Sequence, residues 1–188
     1  MVGAPIVREA LESDLEGVEA IYRPEVLEGT ASFELEPPDL AELIARWRAI
    51  RAAGLPYMIA ELDARIAGYA YAGPYRSRPG YRYTCENSVY VARFARRQGL
   101  GRLLLERVIV GAAERGMRQM VAVIGDSAHL ASIRLHEQAE FEPVGVLRNV
   151  GCKFGRWLDT VIMQRPLGEG AASIPAVAPG SGSERTPS

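Results

Sequence analysis

The sequence is short of several things. Its two cysteines, Cys85 and Cys152, lie far apart in no paired motif, which excludes a disulfide scaffold or zinc site. Its two histidines, His129 and His136, stand seven residues apart without carboxylate or cysteine partners at ligand spacing, so no metal is expected. Neither charge dominates: 22 basic and 23 acidic residues leave a formal net charge of −1. That balance argues against a dedicated nucleic-acid or membrane-surface protein, while leaving room for a local basic patch. No apolar run approaches the ~18 residues of a transmembrane helix. The opening MVGAPIVREALESD lacks a basic segment followed by a long apolar run, so no signal peptide is expected and the cytoplasm is the default location. No internal repeat is found.

What is present is globular. The chain has 188 residues, 48% of them apolar, enough for one sizeable core. Residues 6–8 read as a first strand. Ser13 and Glu16 stand in capping-box spacing, and Leu15, Val18, Ile21 and Tyr22 follow with helical period. After a loop, Asp39 and Glu42 mark a second helix with the stripe Leu40, Leu43, Ile44, Trp47 and Ile50, ended by Gly54 and Pro56. Residues 57–62 and 66–72 read as strands around a tight turn at Asp63, Ala64 and Arg65. GPYRSRPGYRY is a basic, aromatic loop and TCENSVYV the next strand. A helix over 101–115 closes at Gly116, 121–124 is a buried strand, 130–139 a helix, and 142–150 and 153–164 two final strands. This predicts an α/β domain over residues 1–167, with hairpins at both ends of a mixed sheet. From Gly168 the chain turns to Gly, Ala, Ser and Pro, the composition of a disordered tail over 168–188.

One segment carries a chemical signal, ARRQGLGRLLLERV. Two glycines between a strand and a helix let backbone N–H groups converge, and the helix adds the positive end of its dipole. Arg96, Arg97 and Arg102 would add charge-assisted contacts to a phosphate. An ordinary solvated turn has the same composition. The segment is neither a P-loop nor the G-x-G-x-x-G dinucleotide fingerprint.

Its surroundings make it specific. Arg96-x-x-Gly99-x-Gly101 after NSVYV resembles the Q/R-x-x-G-x-G/A signature of the GNAT acetyltransferases. GYAYAGPYRSRPGYRYTCENSVYV, RRQGLGRLLLERV, VAVIG, SIRLHE and NVGCKFGRWLDTVIMQ, in that order, resemble the phosphinothricin and methionine sulfoximine N-acetyltransferase group over residues 6–167. The resemblance implies the GNAT fold, with a splayed strand pair in a mixed central sheet and flanking helices. It implies acetyl-CoA as co-substrate, its pantetheine arm against the backbone of Val89, Tyr90 and Val91 as a missing strand would lie. The pyrophosphate would sit on the amides of Arg96, Arg97, Gln98, Gly99, Leu100, Gly101 and Arg102. His129 falls where the family commonly has a cofactor-contacting Asn, and Glu140 where it has a turn glycine. Both are departures. The family is typically homodimeric, and CKFGRWLD resembles its partner-contacting region.

Acetyl transfer to an amine needs a base for the ammonium, a donor for the thioester carbonyl and a proton for the thiolate. Glu86 is the candidate base, matching the family's carboxylate; a surface strand carboxylate is the plainer reading. A main-chain N–H of Val89 or Tyr90 is the candidate carbonyl donor. His136 stands where many GNAT enzymes carry a proton-donating tyrosine, and it either takes a related catalytic role or organises the pocket. Arg76 and Arg78, interleaved with tyrosines, suit the carboxylate of an amino-acid-like substrate. The same run would suit single-stranded nucleic acid, but the neutral overall charge opposes that. Asn87 and Ser88 either bind the substrate or end the strand's edge, and the resemblance makes Phe33, on the family's early loop, a pocket wall where ordinary loop packing is the plainer reading. The expected function is transfer of acetyl to the amine of methionine sulfoximine, methionine sulfone or phosphinothricin, without a covalent enzyme intermediate. The alternatives are a protein N-terminus or another amine as acceptor, or a non-catalytic acyl-CoA sensor.

Overall fold

The computed structural model describes residues 3–175. In chain order the elements are β1 (Ile6–Glu9), α1 (Leu15–Glu28), α2 (Leu40–Ala52), β2 (Tyr57–Leu62), β3 (Arg65–Pro74), β4 (Thr84–Val91), α3 (Leu100–Glu114), β5 (Gln119–Gly125), α4 (Leu130–Gln138), β6 (Glu142–Lys153) and β7 (Arg156–Pro166). The strands form one sheet in the order β1-β2-β3-β4-β5-β7-β6. Only β4 and β5 run parallel; the other neighbours are antiparallel. The mixed sheet read from the sequence is therefore present, with the hairpins β2–β3 and β6–β7 flanking its one parallel pair.

Local chemistry explains most boundaries. The Asp39 carboxylate accepts the Glu42 amide at 2.8 Å, the expected cap of α2. The start of α1 is built differently from the expected Ser13–Glu16 box. Asp14 accepts the Leu11 amide at 2.7 Å and is clamped by Arg8 at 2.7 and 2.8 Å. A long-range ion pair has taken over the local cap. Strands β3 and β5 outrun their sequence signals because pairing with neighbours extends them into Gly73–Pro74 and Gln119–Met120. Helix α3 begins one residue early, at Leu100, behind Gly99 at φ 79°. Glu140 adopts the left-handed φ of 62° that a glycine would take. Phe141 N–H bonds the His136 carbonyl and Glu140 N–H that of Glu137, so the expected helix-ending turn survives the departure. After β7, Arg118 holds Glu169 at 3.1 Å and Ser173 at 3.2 Å. The part of the proposed tail over 176–188 lies outside the described residues.

The helices cover the sheet on both sides. Tyr22 of α1 packs on Tyr90 of β4, and Leu43 and Ile50 of α2 lie with Tyr57, Tyr69 and Tyr71. On the opposite face, His136 of α4 meets Asn87, and Gly101 of α3 lies beside Val91 and Leu135. Alternation along β4 then fixes the sides: Glu86, Ser88 and Tyr90 face α1 and α2, while Asn87, Val89 and Val91 face α3 and α4.

Candidate active site

The parallel ladder between β4 and β5 covers Thr84–Asn87 against Gln119–Ala122 and stops there. β4 stays paired with β3 as far as Val91. Beyond Asn87 the two strands therefore part, which is the expected splay. The ladder with β3 decides which backbone groups point into the gap. Thr84 C=O accepts Tyr75 N–H and Ala92 N–H bonds Ala67 C=O, so even-numbered residues of β4 face β3. Val89 and Val91 face the gap. The Val91 carbonyl is taken by Arg96 Nε at 3.2 Å. Val89 is left offering both N–H and C=O. Tyr90, expected to share this role, turns its backbone to β3, and its ring stands 5.1 Å from both Tyr22 and Tyr69.

The glycine turn follows. Arg97 and Gly99 have φ of 61° and 79°, and no side chain caps α3. The first-turn N–H groups of the helix are thus directed at one end, where its dipole is positive. The three arginines differ in their use. Arg96 pairs with Glu25 and the Val91 carbonyl, so it braces the loop rather than reaching outward, contrary to expectation. Arg102 pairs with Glu106 at 2.7 Å on the exposed helix face. Among the described residues Arg97 makes no ion pair. Gln98 donates to Phe94 C=O at 3.1 Å, another brace.

Helix α4 closes the gap. A cavity of about 60 Å³ lies between the splayed strands, lined among others by Asn87, Val89, Gly125, His129, Ser132 and His136. Among the described residues His129 Nδ1 is buried without a hydrogen-bond partner, an orphan in a site expected to receive a ligand. His136 is 4% exposed, with Nδ1 2.8 Å from the Ser132 carbonyl and Nε2 3.0 Å from Asn87 Oδ1. Both partners are oxygens that only accept, so a neutral ring donates to one of them and not to both. Burial pushes the His136 pKa down, favouring the neutral ring. Each nitrogen lies against a protein oxygen, an arrangement that suits His136 to organising the pocket. Asn87, expected on the substrate side, is 5% exposed and donates to Val121 C=O at 3.3 Å. It braces the last paired position before the splay, on the α4 face.

Glu86 lies across the sheet from His136. Burial pushes its carboxyl pKa up, and the Arg76 charge pulls against that. Arg76 stacks 5.1 Å from the Tyr75 ring centroid and 6.0 Å from that of Tyr81. Ser88, on the same face, stands opposite Tyr71 in the β3–β4 ladder. The Arg78 side chain is exposed and, among the described residues, makes no ion pair. Phe33, on the loop between α1 and α2, packs over Gly125 and Gly151. The structure therefore gathers Glu86, Ser88, Arg76 and Phe33 on one side, and Val89, the glycine turn, His129 and His136 around the gap.

Sequence reasoning missed a tyrosine stack. Tyr57 lies 5.0 Å from Tyr71 and 6.0 Å from Tyr69, ring centre to ring centre. Tyr22 hydroxyl meets Ser32 Oγ at 2.8 Å beside it. The period-two spacing of Tyr69 and Tyr71 was the available signal. Ser132 was also missed, although its i, i+4 spacing from His136 places both on one face of α4.

A thioester carrying a long amide arm and a pyrophosphate fits these residues. The free edge at Val89 matches the amide arm, the uncapped α3 amides match the anion, and His129 Nδ1 lacks a partner. Comparisons with known proteins agree. The profile of the Acetyltransferase (GNAT) family matches residues 18–141. A phosphinothricin N-acetyltransferase of Alcaligenes faecalis is 49% identical over 90% of this chain and 86% of its own. An L-methionine sulfoximine/L-methionine sulfone acetyltransferase of Salmonella typhimurium is 40% identical, over 88% and 96%. The crystal structure of a GNAT superfamily phosphinothricin acetyltransferase of Sinorhizobium meliloti, in complex with acetyl-CoA, superposes with a TM-score of 0.90 at 42% identity, over 95% and 98%.

Proposed function

The chain belongs to the GNAT acetyltransferase family and is an acetyl-CoA-dependent N-acetyltransferase, and we propose that it acetylates the amine of methionine sulfoximine, methionine sulfone or phosphinothricin. The observation that carries this reading is a half-buried carboxylate, Glu86, with the Arg76 guanidinium near enough to act on its charge. Such acceptors bring one ammonium to be deprotonated and one carboxylate to be held.

Acetyl-CoA supplies the acetyl group as an activated thioester. The amides of the glycine turn hold its pyrophosphate, with Arg97 adding charge. Val89 offers backbone groups to the pantetheine arm and its N–H to the thioester carbonyl. Arg76 holds the acceptor carboxylate, with Arg78 nearby on the same loop, and Ser88 and Phe33 line the acceptor space. Glu86 takes one proton from the ammonium, directly or through water, so that the amine can attack. As the C–N bond forms and the C–S bond breaks, the nitrogen's second proton balances the departing thiolate. His136 acts as a positioning residue by holding Asn87, and His129 lends its unpartnered Nδ1 to the co-substrate. A covalent intermediate has little support: Cys85 is buried against the Gln119 carbonyl, with its thiol pushed up to about 12.

We further propose a homodimer formed through the β6–β7 hairpin, where Val144, Val146, Val150, Phe154 and Trp157 are all exposed. The domain is proposed to span residues 1–167. No described helix is long and apolar enough to cross a membrane, and the proposed location is the cytoplasm.

The test is acetyl-CoA consumption over a panel of amino-acid analogues, peptides and simple amines. Preferential turnover of the three named acceptors is expected. Preference for a peptide N-terminus would overturn the acceptor assignment. Tight acetyl-CoA binding with no turnover would point to a sensor.

A further inference from the structure

The loop carrying Phe33 is held by the far end of the sheet, in a way its own sequence does not foretell. Lys153, the last residue of β6, is 4% exposed, and its Nζ donates to the Ser32 carbonyl at 2.7 Å. Ser32 Oγ in turn meets the Tyr22 hydroxyl at 2.8 Å and accepts the Glu34 amide at 3.2 Å. The Lys153 Nζ also lies 5.1 Å from the Phe154 ring centroid and feels the Glu34 charge, but desolvation outweighs that charge, so a simple packing role would be better filled by an apolar side chain. Beside it, Gly151 has no side chain for a steric reason. A Cβ there would stand less than 3.0 Å from Phe33 Cε2, Cδ2 and Cζ. Gly125 repeats the pattern from β5: its Cβ would stand 3.0 Å from Phe33 Cε1 and 2.6 Å from the Thr30 carbonyl. Neither glycine has a positive φ, so both are small for the sake of what lies over them.

We propose that Gly151 and Lys153 are positioning residues for acceptor selectivity: Gly151 with Gly125 forms the seat of the Phe33 ring, and Lys153 ties down the loop that carries it. This rests on the reading of Phe33 as a wall of the acceptor space. Carbon atoms in contact keep ~3.5–4.0 Å apart. A methyl at 151 therefore drives the ring off its seat, and Gly125 blocks retreat along the sheet. The ring lifts away from the sheet and the wall moves with it. The acetyl-CoA gap shares Gly125 with this seat but does not include residue 151, and its Val89 edge and glycine turn are left alone.

The test is a double-mutant cycle on the full-length enzyme, with steady-state kinetics on the best acceptor of the panel. Gly151→Ala is expected to raise the acceptor KM about tenfold with kcat little changed and acetyl-CoA affinity intact. In a Phe33→Ala background the same substitution should do nothing further, because the methyl acts only through the ring. Lys153→Met should also raise the acceptor KM. Unaltered acetyl-CoA affinity certifies that each variant is folded. An unchanged KM in Gly151→Ala, or equal effects of Gly151→Ala with and without the Phe33 ring, overturns the proposal. Wild-type enzyme that turns over no amine would instead remove the acceptor reading, and this inference with it.

Discussion

At the scale of single residues, Glu86 carries the sharpest conflict between stability and function. Burial raises its carboxyl pKa, which means the fold favours the protonated form. A group with a raised folded-state pKa supports the fold below its unfolded value, ~4.3 for glutamate, and that support is lost as pH rises through the folded value. Ionising this proposed base thus works against the fold. Glu86→Gln should therefore be at least as stable as the parent at neutral pH, its advantage vanishing at about pH 4. Thermal melts across that range check this, and a variant less stable at neutral pH contradicts it. Glu86 was legible in TCENSVYV through the family resemblance, but its side was not. The two faces of a strand are equivalent in sequence until helices cover them. That is why the sequence groups Asn87 with Ser88, although the two face opposite sides of the sheet.

At the scale of elements, the chain's periodicity located almost every strand and helix, since apolar stripes report burial directly. What it could not show was set by partners distant in sequence. Arg8 reaching Asp14 replaced a local cap, and the end of the β4–β5 ladder at Asn87 is invisible in a run of residues that all read as strand. The turn between β2 and β3 carries two strained residues in succession. Asp63 and Ala64 both hold positive φ, 50° and 58°, in the β2–β3 turn, where glycine is the usual second residue. Ala64→Gly should relieve ~1 kcal/mol of backbone strain, partly offset by glycine's added chain entropy. The expected gain in Tm is ~1–3 °C with unchanged kinetics. A lower Tm would show that the turn is not strained.

At the scale of the whole molecule, β6 is exposed along nearly its full length, yet its residues alternate as a half-buried strand does. Within the described residues no element covers it. A second copy of the chain would do so, and the Phe154 and Trp157 side chains would lie inside such an interface. The parent protein is expected to sediment as a dimer at micromolar concentration, and Val146→Asp combined with Trp157→Asp as a monomer. A monomeric parent would remove the dimer. The Lys153 link to the Phe33 loop begins in this same hairpin, so loss of the dimer should also raise the acceptor KM.

The most direct test is the turnover of Glu86→Gln beside its affinity for acetyl-CoA. A positioned base contributes ~10²–10⁴-fold, so kcat/KM for the acceptor should fall by that order. Acetyl-CoA affinity should stay within about twofold of the parent, because Val89, the glycine turn and His129 are untouched. Full activity in Glu86→Gln, or loss of acetyl-CoA binding in step with turnover, would contradict the division of the site into a base on one face and a co-substrate gap on the other.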